Sequence, residues 1–254
     1  MHKFMPDRIY LSVIIPCYNE QRNIRLGALE NVSHFLRKKK WLYEVILVDD
    51  GSSDDSVLLM TEFIKDHKNF RLVRKRHQGK AAAVTAGIME SRGNIILFSD
   101  LDQATPINQI EKLLPLLSGR FDIAIGSRNK ERKGAPFFRL AMARGFVILR
   151  NIILDLHIAD TQCGFKAFRR QAALDIFPGL RVFSPDRSVS GSTVTAGFDV
   201  EVLYLARRTG YKIAEVPVEW HYQETRHINP VKDSIESFID LIRIRWYSMN
   251  GKYG

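Results

Sequence analysis

Short unbroken apolar runs alternate with longer stretches in which apolar side chains recur at helical spacing. Leu11–Ile15 predicts a buried strand ended by Pro16, and Ile24, Leu29, Val32 and Leu36 predict one helix from Glu20 to Arg37. Glu44–Val48 predicts a second strand, closed by the polar turn Asp49–Ser52. In the next helix, capped by Ser53 or Asp54, Val57, Met60 and Ile64 share a face. A short strand at Phe70–Val73, a helix from Gly79 to Glu90 and a strand at Asn94–Phe98 follow. Repeated βα units of this length predict a mostly parallel, Rossmann-like sheet with helices on both faces, the α/β class.

The second half is less regular. Phe121–Ile125 predicts a strand leading into Gly126-Ser127-Arg128 and the basic stretch Asn129–Lys133. One or two amphipathic helices are expected over Pro136–Leu156, a strand at Gly164–Phe168, a helix at Phe198–Arg208 and a strand at Lys212–Val216. Phe183–Gly197, rich in Ser, Thr and Gly, reads as a mobile loop. A final helix from Asp233 to Met249 places Ile235, Phe238, Ile239, Ile242 and Trp246 on one face. No repeat or linker interrupts the pattern, so residues 1–254 read as a single domain.

Composition narrows the function. A net charge of +10 draws the chain towards polyanions, whether nucleic acid, anionic lipid or phosphorylated substrates. No nucleic-acid motif accompanies that charge, and acidic strand exits repel a phosphate backbone, so nucleic acid is not the expected partner. Cys17 and Cys163 cannot build a disulfide framework and point to a reducing compartment. No apolar run is long enough to span a bilayer, and Met1–Arg8 lacks the apolar core of a signal peptide.

Parallel sheets bind ligands beyond the carboxyl ends of their strands. Three predicted strands end there in polar groups: Tyr18-Asn19-Glu20, Asp49-Asp50 and Asp100-Leu101-Asp102. Residues two apart on a strand point the same way, so Asp100 and Asp102 are expected to reach one ion. Mg²⁺ binds through one or two carboxylates plus substrate phosphates. Gly79-Lys80 opens a helix whose first amides favour anions, bringing Lys80 to a phosphate. Arg71, Arg74, Lys75, Arg76 and His77 read as a solvated basic face.

Taken in order, Pro16–Glu20, Val48–Ser52, Ser99–Asp102 and Gly126–Arg128 resemble the motifs of family 2 glycosyltransferases with the GT-A fold. Asp160–Lys166, Phe198–Glu201 and Glu215–Trp220 resemble the polyprenyl- and dolichyl-phosphate glycosyltransferases, especially the dolichyl-phosphate glucosyltransferase branch. The resemblance runs from about Leu11 to Trp246. It implies a nucleotide-binding half over about residues 9–128 and an acceptor- and membrane-facing half over about 129–254. Pro16, Tyr18, Glu20, Asp50, Lys80 and Asp100 would bind the nucleotide, with Tyr18 on the base or ribose, Glu20 on ribose hydroxyls and Asp50 on a base N–H. Asp100 and Asp102 would hold Mg²⁺ or Mn²⁺, which stabilises charge on the departing nucleoside diphosphate. Arg128 would be a fixed donor to the same leaving group.

Protein or sugar acceptors need a general base. A lipid monophosphate, with a second pKa near about 6, is largely ionised already and needs cations instead. Lys166, with Arg139 or Arg144 and Arg226, is the candidate grip on the acceptor phosphate. Asp160 would orient Lys166 or touch a sugar hydroxyl, a base role remaining open. Related mannosyl enzymes often carry D-x-D-L-Q, whose Gln assists at the metal; here Asp102-Gln103-Ala104-Thr105 stands nearer the glucosyl branch, where Thr105 or water would complete the metal shell. The implied reaction is inverting transfer of a hexose, glucose first, from a UDP-sugar to polyprenyl or dolichyl phosphate. A saccharide or other glycolipid acceptor, or GDP-mannose as donor, is the alternative.

Such an acceptor sits in a membrane. Phe137, Phe138, Leu140, Met142, Phe146, Val147 and Ile148 lie among Arg132, Lys133, Arg139, Arg144 and Arg150, a mixture that fits an interfacial helix or a core helix with a charged outer face. The expected location is the cytoplasmic face of a membrane, by surface docking or through a membrane-protein partner.

Overall fold

The computed structural model describes residues 9–128, 137–184, 196–221 and 230–253, without the side chains of 137–144, 196 and 230–234. Strands β1 (Leu11–Cys17), β2 (Tyr43–Asp49), β3 (Phe70–Arg74) and β4 (Ile95–Ser99) are the unbroken apolar runs. β1, β2 and β4 are buried on both faces, as parallel strands under helices must be, whereas β3, at the edge of the sheet, buries Phe70 and leaves Arg74 exposed. β5 (Ile123–Arg128), β6 (Phe165–Arg169) and β7 (Ile213–Val218) extend the same sheet, in the order β3-β2-β1-β4-β6-β5-β7. Among these strands β6 alone runs antiparallel, and pairing Ser99 with Phe165 sets the entrance of β6 beside the exit of β4.

One layer over the sheet holds α1 (Gln21–Arg25), α2 (Ala28–Arg37), α3 (Ser56–Lys65) and α5 (Ile110–Leu117). The opposite layer holds α4 (Lys80–Glu90), α6 (Phe137–Leu154), α7 (Arg170–Ile176), α8 (Ala196–Arg208) and α9 (Pro230–Met249).

Several expectations change. The single helix predicted over Glu20–Arg37 is two, because Gly27 takes a left-handed φ of 85° between them. Its predicted apolar positions are nonetheless buried. Pro16 does not end β1, which continues to Cys17; β4 has left the pairing by then, so the missing N–H costs no ladder bond on that side. Gly126-Ser127-Arg128 lies inside β5 and pairs with β7. The sequence reading missed α5 and α7. The face of α9 carrying Ile235, Phe238, Ile239, Ile242 and Trp246 is 41–56% exposed, while Leu241 and Ile244 form the buried side. Most of the loop expected over Phe183–Gly197 lies outside the described residues.

Candidate active site

The carboxyl ends of β1, β2, β4 and β5 and the entrance of β6 share one sheet edge, and the candidate residues gather there in two linked groups.

The first group lies beyond β1, β2 and β4. Asp50 is buried, and its carboxylate accepts N–H bonds from Gln78 (2.9 Å) and Gly79 (2.8 Å) and pairs with His77 Nδ1 at 2.9 Å. Asp50 therefore shapes the segment leading into α4, a task the sequence reading had not given it. His77 lies flat on Tyr18, with ring centroids 4.1 Å apart and planes 17° from parallel. It belongs to the site and not to the solvated basic face expected for it. Gly51 makes the close approach possible: at a φ of 78° a β-carbon there would lie 2.8 Å from the His77 amide nitrogen. Glu20 accepts a 2.5 Å bond from Asn23 Nδ2, and its amide donates to Ser56 Oγ. The β1 exit is thereby tied to the start of α3.

Lys80, in the first turn of α4, pairs with Asp100 Oδ1 at 2.6 Å. At the helix N-terminus the sequence indicated, Lys80 thus stands in company with Asp100. Asp100 packs on Gly164, whose carbonyl accepts the Asp100 amide proton at 3.3 Å. With Ser99, Ala104, Thr105, Gly164 and Trp220 it lines a hollow of about 20 Å³.

The same-side argument for Asp100 and Asp102 fails. β4 ends at Ser99, Leu101 is buried, and the residues after it form a turn in which Gln103 has a φ of 51°. Asp102 accepts the Ala104 amide proton and lines a separate hollow of about 470 Å³ with Asn23, Leu26, Gln103 and Ile107. Thr105, which lines the hollow of Asp100, is buried with its hydroxyl 3.7 Å from Cys163 Sγ.

Arg128 and Asp160 form the second group. Asp160 Oδ2 accepts from the Arg128 amide (3.0 Å) and Nε (2.7 Å), and Oδ1 accepts from Nη2 at 2.8 Å. Burial opposes the charge on Asp160, but the bonds and charge of Arg128 outweigh it and hold the carboxyl below its ordinary range. The same pair raises Arg128 against the pull of burial. The guanidinium also sits over the Trp220 ring at 5.7 Å. Trp220 joins the groups, since it lines the hollow of Asp100.

Lys166 is corrected. Its side chain is 0% exposed, and its ammonium is held by Asp199 and the Cys163 carbonyl, both at 2.5 Å. It cannot grip an acceptor phosphate from there, and Asp160 orients Arg128, not Lys166. The antiparallel pairing of β6 is the cause: Lys166 lies opposite Phe98 and faces α8 within the layer. Arg150, expected among the membrane cations, is likewise buried. The side chains of Arg139, Arg144 and Arg226 lie outside the described residues.

Comparison with known proteins follows the same edge. The glycosyl transferase family 2 pattern matches residues 12–177, from β1 through the acidic turn and β6. The chain belongs to glycosyl transferase family 2. It is a glycosyltransferase. It is 37% identical to a dolichyl-phosphate beta-glucosyltransferase of Dictyostelium discoideum, over 96% of this chain and 76% of that protein. It is 33% identical to the protein of that name from Saccharomyces cerevisiae, over 97% and 77% of the two chains. A mannosyltransferase of Pyrobaculum calidifontis, solved with GDP-Man and Mn²⁺, superposes with a TM-score of 0.55 at 19% identity, over 83% of this chain and 55% of that one. The family 2 transferase described here thus has the GT-A arrangement, a mostly parallel sheet with helices on both faces.

Proposed function

We propose that this transferase moves a hexose, glucose in the favoured reading, from a UDP-sugar to dolichyl or another polyprenyl phosphate at a membrane surface. The observation carrying the reading is the shared edge at which the Lys80–Asp100 pair and the Arg128–Asp160 pair meet around Gly164 and Trp220. Alternating charges suit a substrate that is itself a diphosphate. The names of the relatives at 33–37% identity supply the acceptor class and the sugar.

Among the described residues no group of three His, Cys, Asp or Glu side chains is placed to hold a metal. That fits Mg²⁺ or Mn²⁺, which needs only one or two carboxylates when a diphosphate supplies the remaining oxygens. Asp100, which faces a hollow of the shared edge, is the hard oxygen donor that would hold it. Asp102, which lines the separate hollow, would join it only once the 101–103 turn swings towards the diphosphate. When bound, the ion offsets negative charge on the departing diphosphate.

The protein's own residues do the rest. Tyr18 with His77 offers a flat surface to the base, and Asp50 fixes that surface by holding the 77–79 segment. Lys80 neutralises Asp100 and presents the α4 N-terminus to phosphate. Asp160 takes two of the five N–H donors of Arg128, which aims the remaining guanidinium edge at the leaving group. An acceptor phosphate that is already ionised needs no base, so Asp160 keeps its proton off and serves as the Arg128 anchor.

Membrane docking is part of the proposal. No helix of the described residues is long and apolar enough to cross a bilayer. Ile148, Leu149 and Ile152 on α6 and the exposed face of α9 instead offer apolar surface on two helices that pack together. The location proposed is the cytoplasmic face of a membrane.

The test is incubation with UDP-glucose, Mg²⁺ and a short polyprenyl phosphate. Release of UDP only when the lipid phosphate is present is the expected result. Release that requires a saccharide acceptor, or none with any lipid phosphate, overturns the proposal.

A further inference from the structure

We propose that Glu215 and Arg150 are positioning residues that clamp the 158–161 segment from two sides and thereby set the Arg128–Asp160 pair for sugar transfer. The proposal rests on the reading of Arg128 given above.

The segment between α6 and β6 belongs to no helix or strand, so its backbone groups lack a regular ladder. Two side chains supply their partners, one from the preceding helix α6 and one from the distant strand β7. Glu215, exposed on β7, spends both carboxylate oxygens on it: Oε2 accepts the Ala159 amide proton at 2.9 Å and Oε1 that of Asp160 at 2.7 Å. A carboxylate on two consecutive amides fixes the orientation of the peptide unit as well as its place. From the other side Arg150, on α6, donates Nη1 to Thr161 Oγ1 at 3.1 Å and Nη2 to the Ile158 carbonyl. The residue held between them, Asp160, then makes three bonds to Arg128.

Arg150 shows what this arrangement costs. The side chain is 1% exposed, its Nε has no partner, and among the described residues no carboxylate lies in ion-pair range of it. A buried cation without a paired anion is strongly unfavourable. Burial lowers its pKa, and only the more distant charges of Glu215 and Asp160 oppose that. Two carboxylates, Glu215 and Asp160, thus stand between two arginines, Arg150 and Arg128, and each arginine has carboxylate charge on the side of the segment. An apolar residue at 150 would be the simpler way to fill the space between α6 and the sheet; an arginine there fits a need for two donors on this segment.

Displacing a substrate-positioning group by about 1 Å can cost on the order of 100-fold in rate. Glu215→Ala is therefore expected to lower kcat by about 10- to 100-fold with KM for the nucleotide sugar unchanged, the signature of an interaction made in the transition state. Glu215→Gln keeps one acceptor oxygen and is expected to recover part of the loss. Because Glu215 is exposed, the melting temperature should barely move, while amide exchange at Ala159 and Asp160 should quicken. Arg150→Lys, which keeps the charge but loses the fork, is expected to lower kcat in the same way.

Wild-type kcat in Glu215→Ala, with activity lost in Arg128→Ala, overturns the clamp and leaves the reading of Arg128 standing. Full activity in Arg128→Ala overturns that reading and the clamp with it. Parallel loss of kcat and melting temperature, with no recovery in Glu215→Gln, assigns Glu215 a structural role and overturns the proposal.

Discussion

At Gly164 an added β-carbon would lie 2.0 Å from Asp100 Oδ2, closer than any contact tolerates. Gly164→Ala is expected to push the Asp100 carboxylate away from Lys80 and to lower kcat by about tenfold or more, since misplacement of a single group carries penalties of that size. Asp100 is partly exposed and can yield without unfolding the core, so an unchanged melting curve with wild-type kcat would sink this account. Asp160 gives a second expectation. Its folded pKa lies below the unfolded value of about 3.9, so the stability it contributes is complete above that value and is lost as pH falls through the folded one. Asp160→Asn should therefore flatten the acid limb of a stability–pH curve below about pH 4. The same variant should lower turnover without abolishing it; a dead variant with intact nucleotide binding would argue instead for base catalysis. Tyr18, Asp50 and Asp100 were placeable from sequence because each follows an apolar run that ends in a polar group. Lys166 and His77 were not. Their surroundings depend on which strand β6 joins and on how Gly51 admits its neighbour, and neither leaves a mark on local periodicity.

At the scale of elements, helical spacing identified α9 but not the direction its apolar face points. Periodicity reports that a face is apolar; what covers it is a matter of packing. Here Leu241 and Ile244 take the buried side, and Ile239, Ile242 and Trp246 are left outside. Replacing those three by serine is expected to weaken sedimentation with anionic vesicles by at least about tenfold, because each half-exposed side chain gives up part of the about 1.5–3 kcal/mol that full burial of an apolar side chain contributes. Activity towards a short, water-soluble polyprenyl phosphate should stay at the wild-type level. Unaltered vesicle binding would show that α9 does not meet the membrane. The strands were the most legible elements, since burial on both faces leaves unbroken apolar runs. The missed α5 carries Pro115 in its interior and follows a turn held by side-chain bonds from Gln103, neither of which reads as a helix start. α7 begins directly after β6, with no polar loop to announce it.

For the whole molecule, two apolar layers against one sheet hold the fold. The acidic turn sits at the rim, and among the described residues it has no third His, Cys, Asp or Glu to complete a cation cage. Divalent affinity should then arise only once a diphosphate contributes its oxygens. A ligand that binds the folded state raises stability by RT ln(1 + [L]/Kd), which makes the coupling readable as a melting shift. Mg²⁺ alone is expected to leave the melting temperature where it is, UDP alone to raise it slightly, and the two together to raise it by more than the sum. Asp102→Asn should remove the excess while leaving the effect of UDP alone. A full shift with Mg²⁺ in the absence of nucleotide would mean that the protein builds a cation site by itself. The rim carboxylates would then be ligands of a resident ion, and not half of a site that the substrate completes.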